Sequence, residues 1–149
     1  MLVQSFLKVG GKNWRLTKIP AWFAKTENPD LMPSVAALVN GAWVPLETPE
    51  LVDEHVPDWE ALQKLESAAM DYNYGFLENW RPVKPPASMR SKFAVITCRY
   101  MDPIFSTLIS ANYATLHEMR TVYSLEDVFM MIEALTVSSI NEHNAMEKP

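Results

Sequence analysis

"VPDWEALQKLESAAMDYNYGF", residues 56–76, is where the hydrophobic period of the chain changes. Leu62, Leu65, Ala69, Tyr72 and Phe76 recur at alternating spacings of three and four residues, which places them on one stripe of an α-helix. Asp58 precedes that stripe and can act as N-cap, its carboxylate accepting a backbone N–H that the first turn leaves unpaired.

Before residue 56 the pattern is that of strands. "LVQSFLKV" and "WRLTKI" flank a Gly10-Gly11 turn, with Val3, Ser5, Leu7 and Val9 on one face of the first run. "VAALVNGAWVPL", residues 35–46, holds Asn40-Gly41 between two apolar segments. That dipeptide tolerates the positive φ angles of a two-residue type I′ hairpin. Pro45 cannot donate to a ladder, so its strand lies at an edge or ends there. Between the hairpins, "AWFAKTENPDLMP" predicts a short helix followed by a loop.

After residue 76 the pattern is helical with breaks. "NWRPVKPPAS" carries Pro82, Pro85 and Pro86 and cannot continue a helix. A second helix is expected over about 88–100, carrying Met89, Phe93, Ile96 and Tyr100. Asp102-Pro103 marks another start, with proline at the first helical position, where its missing N–H costs little. Thr115-x-x-Glu118 is a capping box and Ser124-x-x-Asp127 its aspartate form, each preceding an apolar run. The last helix runs from about 125 into the 140s through Leu125, Val128, Ile132, Leu135 and Ser139. The expectation is an α+β fold: a small β-rich N-terminal lobe, residues 1–52, followed by a helical C-terminal lobe, residues 53–149. The two can also form one continuous domain.

The 149 residues are 48% hydrophobic and 21% charged, a globular composition able to bury a core. The net charge of -5 is unevenly spread. Residues 1–26 sum to +5, 27–80 to -10, 81–101 to +5 and 102–149 to -5. Such blocks either face one another inside the fold or form a charged docking face. An acidic chain without a recognised binding motif argues against nucleic acid. The N-terminus shows neither a signal peptide nor a membrane span. A single cysteine, Cys98, leaves no internal disulfide and fits a reducing, cytosolic setting.

Common catalytic signatures fail one by one. The glycines Gly10, Gly11, Gly41 and Gly75 form neither GxGxxG nor a P-loop. His117-Glu118 lacks the second histidine of HExxH, because position 121 is Thr. His55, His117 and His143 have no ligand spacing, and each reads as a surface or helix-end residue. Cys98, in an apolar stretch, is expected to be a buried free thiol. The carboxylates of residues 118–127 are explained by helix caps. The chain is therefore expected to be non-enzymatic, with no catalytic, cofactor-binding or metal residue to name.

Apolar side chains are in surplus instead. There are nine methionines and five tryptophans, and "DVFMMIEAL" sets Phe129, Met130 and Met131 in succession. One narrow stripe cannot bury all three. Met130 should lie on the far side from Val128 and Ile132, with Met131 flanking the stripe. Phe129, Met130 and Met131 are the candidate partner-binding residues, since flexible thioethers adapt to varied surfaces.

"GKNWRLTKIPAWFA" (11–24), "VPDWEALQKLESAAMDYNYGF" (56–76) and "TLHEMRTVYSLEDVFMMIEALTVSSINEHNA" (115–145), in this order, resemble small tail assembly chaperones of tailed bacteriophages. The resemblance touches about half of the chain. "ALVNGAWVPLETPELV" follows the pattern only loosely and "WRPVKPPASMR" departs from it. The resemblance implies a non-enzymatic protein of the host cell cytoplasm, without cofactor and capable of homo-oligomerisation. Its partners would be tail subunits, the tape-measure or tail-tube protein, held soluble before tail polymerisation. A structural virion subunit at a tail or baseplate interface is the alternative.

Overall fold

The computed structural model describes residues 2–90 and 96–147. Four strands, β1 (Gln4–Val9), β2 (Lys12–Thr17), β3 (Val35–Val39) and β4 (Ala42–Pro45), form an antiparallel sheet in sequential order. The two tight turns are those the sequence marks. Gly10 and Gly11 have φ of 58° and 74°, and Asn40 and Gly41 have 49° and 80°, as type I′ geometry requires. Pro45 ends edge strand β4. The register aligns Leu7, Trp14, Ala37 and Val44 across the sheet, and Phe6, Arg15, Ala36 and Pro45 in the adjacent row. Side chains alternate faces along a strand, so these rows point to opposite sides.

Helix α1 (Ala21–Ala24) is a single turn after β2, and a loop follows it to β3. Helix α2 (Pro49–His55) is a helix that the sequence reading did not assign. Thr48 caps it, its hydroxyl accepting from Leu51 N at 3.3 Å, with Pro49 in the first turn. Helix α3 (Trp59–Tyr74) starts at Asp58, whose Oδ1 accepts from Ala61 N at 2.7 Å. Its buried Ala61, Leu65 and Ala69 pack with Trp14, Leu16, Val35, Ala37 and Leu46. The sheet and this helix thus form a two-layer core, which joins the helix to the N-terminal sheet.

The expected helix over 88–100 does not form at the described residues. Ala87–Met89 make one 3-10 turn after Pro86, and 96–101 carry no helix. Ile96 and Tyr100 are 96% and 87% exposed, so the apolar spacing there has no surface to pack on. A short helix without packing is marginal in water. Phe93 lies outside the described residues. Cys98 is exposed, not buried, because residues 96–100 around it all face solvent.

Helices α4 (Pro103–Ser110), α5 (Leu116–Thr121) and α6 (Leu125–Glu147) complete the chain. Asp102 caps α4, accepting from Ile104 N at 2.9 Å. Thr115 and Glu118 form the reciprocal capping box of α5. Phe105, Leu108, Met119 and Val128 from these helices build a second core, and Ala21 of α1 enters it. Both cores therefore cross the boundary at residue 52: α3 completes the sheet's core, and α1 completes that of the helices. Near the end of α3, buried Asn73 ties the helix to the chain after β2: its Oδ1 accepts from Ile19 N at 2.8 Å while Nδ2 donates to Ala69 O at 2.9 Å.

Candidate protein-interaction faces

Helix α6 is held hard at its N-terminus. Asp127 Oδ2 accepts from Ser124 N at 2.8 Å, and Asp127 N donates back to Ser124 Oγ at 3.3 Å. Ser124 pairs with Pro20 in an isolated bridge, and Ala21 N donates to Tyr123 O at 2.7 Å. Lys18, almost fully buried at the end of β2, reaches Glu126 Oε2 at 2.5 Å and lies over the Tyr72 ring, 4.9 Å from its centroid. Lys25 pairs with Asp102 at 3.2 Å. Both pairs join the basic N-terminal block to the acidic C-terminal block, so part of the charge segregation is spent inside the fold.

The structure separates the three candidate residues. Phe129 stands edge-on to Phe76 and Trp80, with both pairs of ring centroids at 5.5 Å. It fastens α6 to the turn that follows α3. Met131, with Ile132 and Leu135, packs against the second core. Met130 is 50% exposed and points away from that core. It begins a stripe continued by Ala134 and the 39% exposed Val137, with Glu133, Ser138 and Asn141 alongside. These six residues line a shallow groove of about 630 Å³. The sequence signal for Ala134 and Val137 was present, since they sit four and seven residues beyond Met130.

A second apolar face lies on the outer side of the sheet. Exposed Phe6 and Leu38 flank Trp43, and the Phe6 and Trp43 ring centroids are 5.6 Å apart. The Arg15 guanidinium covers the Trp43 ring at 5.3 Å. The cross-strand register accounts for this cluster, because Arg15 pairs with Phe6 and Leu38 pairs with Trp43.

The shifted titrations follow from architecture. Thr115's backbone N–H and hydroxyl hold the Glu118 carboxyl below its ordinary value. The Glu60 side chain, hydrogen-bonded one turn away, raises Lys64. Burial raises Tyr72, with the charge of Glu126 adding to it, and burial raises Tyr74. None of these sits in a cluster of reacting groups. Among the described residues no three His, Cys, Asp or Glu side chains gather as a metal site, and no helix is long and apolar enough to cross a membrane. Exposed His117 bonds through its backbone, its carbonyl accepting from Thr121 Oγ1. His143 meets Ser88 Oγ at 3.2 Å and Glu147 at 3.0 Å. Comparison of the chain with protein-family models, curated proteins and solved structures finds no match.

Proposed function

We propose that this chain is a non-enzymatic tail assembly chaperone, binding tape-measure or tail-tube subunits in the host cell cytoplasm before tail polymerisation. The observation that carries it is the exposed Met130–Ala134–Val137 stripe, on a helix whose opposite side is fixed in the core. A rigid helix with one apolar face in water suits a transient partner better than a reacting substrate. The resemblance of residues 11–24, 56–76 and 115–145 to tail assembly chaperones supplies the biological setting.

The outer sheet face favours a second reading, a structural virion subunit at a tail or baseplate interface. A subunit built into a particle needs more than one contact surface, and Phe6, Leu38 and Trp43 offer one remote from the α6 stripe in sequence. Co-expression with the tail-tube and tape-measure subunits, followed by mass spectrometry of mature particles, tests both. Co-purification with a tail subunit and absence from particles is the result expected. A stoichiometric amount in particles selects the second reading, and no association with either subunit overturns both.

A further inference from the structure

We infer that the α6 stripe is shaped for one kind of occupant, an amphipathic helix whose apolar face is flanked by lysine or arginine. The inference rests on the protein-binding reading of this face and adds the chemistry of the partner. Its length is that of a helix contact. Met130 to Asn141 covers about three turns, and Met130, Ala134, Val137 and Asn141 fall at the spacings that a neighbouring helix meets. Ala134 and Ser138 are small and let the partner's side chains settle between the larger Met130 and Val137.

Charge selects the occupant. Leu125–Glu147 carries Glu126, Asp127, Glu133, Glu142 and Glu147 with no lysine or arginine. Glu133 lines the groove itself, and Glu142 is exposed next to Asn141. A second copy of this helix would bring its own Glu133 and Glu142 to the same contact, and like charges juxtaposed oppose pairing. A helix with cationic flanks would meet Glu133 and Glu142 with opposite charge, while its apolar residues cover Met130 and Val137.

Two fluorescently labelled synthetic helical peptides test this, with one leucine–alanine stripe in common and flanks of lysine in one and glutamate in the other. The lysine peptide should bind the full chain about tenfold more tightly than the glutamate peptide, and the gap should shrink as salt rises. Val137→Asn should weaken the lysine peptide, and Glu133→Gln should reduce its preference over the glutamate peptide. Circular dichroism of both variants should be unchanged. Equal binding of the two peptides, binding of neither, or indifference to both substitutions overturns the inference. So does dimerisation in sedimentation that Val137→Asn abolishes, since the occupant is then a second copy. Lysine-peptide binding without any associated tail subunit would sink the chaperone reading alone. Tail-subunit association without lysine-peptide binding would sink this inference alone.

Discussion

Lys18 Nζ lies 2.5 Å from Glu126 Oε2, joining the end of β2 to the first turn of α6 across 108 residues of sequence. The pair is asymmetric. The Lys18 side chain is 10% exposed and that of Glu126 38%. Losing the lysine leaves a carboxylate that water can reach; losing the carboxylate strands a buried cation. Lys18→Met keeps the aliphatic stem against Tyr72 and Phe76, so Glu126→Ala should cost more, by about 1–2 kcal/mol. Urea unfolding of both variants decides it; an equal or larger cost for Lys18→Met refutes the asymmetry.

Beside that pair, the Tyr72 hydroxyl is buried without a hydrogen-bond partner among the described residues. A desolvated, unpaired hydroxyl disfavours the folded state, and its removal leaves the ring that packs on Lys18 in place. Tyr72→Phe should therefore be neutral or stabilising, by up to about 1 kcal/mol. A clear fall in melting temperature would mean that the hydroxyl is satisfied in solution.

The two capping boxes should respond differently to change. Ser124 is buried, and its hydroxyl closes the start of α6, so Ser124→Ala should cost about 1 kcal/mol with partner binding retained. Glu118 has a folded-state pKa below its ordinary value, so its contribution is present above that value and is lost as pH falls through the folded pKa. Glutamine can still cap but cannot titrate. Melting of the parent chain and Glu118→Gln should therefore converge in acid and separate toward neutrality. Curves that stay parallel would remove Glu118 from the pH dependence.

Local signals carried most of the fold. Asn40-Gly41, Asp58, Asp102-Pro103, Thr115 and Ser124 each act through a turn or an unpaired N–H within a few residues, so their effect is readable without the tertiary structure. Helix α2 had the same kind of signal, Thr48 followed by Pro49 and Glu50, but its seven residues bury no side chain fully and give a weak stripe. The region 88–100 failed in the opposite sense: its apolar spacing was helical, but at its described residues Ile96 and Tyr100 stand exposed. The exposed apolar stripe of α6 was half legible. Met130 was placed correctly by helical geometry. The role of Phe129 depended on where the turn after Gly75 delivers Phe76 and Trp80, which no periodicity encodes.

The exposure of Cys98 gives a direct chemical check on that region. A thiol enclosed in a core reacts only when the protein opens, whereas an exposed one reacts in the native state. One equivalent of an aromatic disulfide reagent should label the native chain about as fast as the urea-unfolded chain. Protection that disappears only on denaturation would show that the segment around Cys98 is covered in solution.

Met130 and Leu135 test the partition of α6 between core and partner. Leu135 packs against the second core, while Met130 lies half exposed on the other side. A glutamate at 135 must place its carboxylate among Phe105, Leu108 and Val128 or pull the helix away, at about 2–4 kcal/mol. A glutamate at 130 remains in water, and surface substitutions usually stay within about 0.5 kcal/mol. Met130→Glu should therefore fold like the parent and lose the proposed association with a tail subunit, whereas Leu135→Glu should lose helical circular dichroism and binding together. The separation of the two phenotypes is what matters. If Met130→Glu unfolds the chain as badly as Leu135→Glu, both sides of α6 are enclosed and the stripe is not a docking face. If it folds and still binds a tail subunit as the parent does, the contact lies elsewhere, with the Phe6–Trp43 face of the sheet as the next surface to mutate.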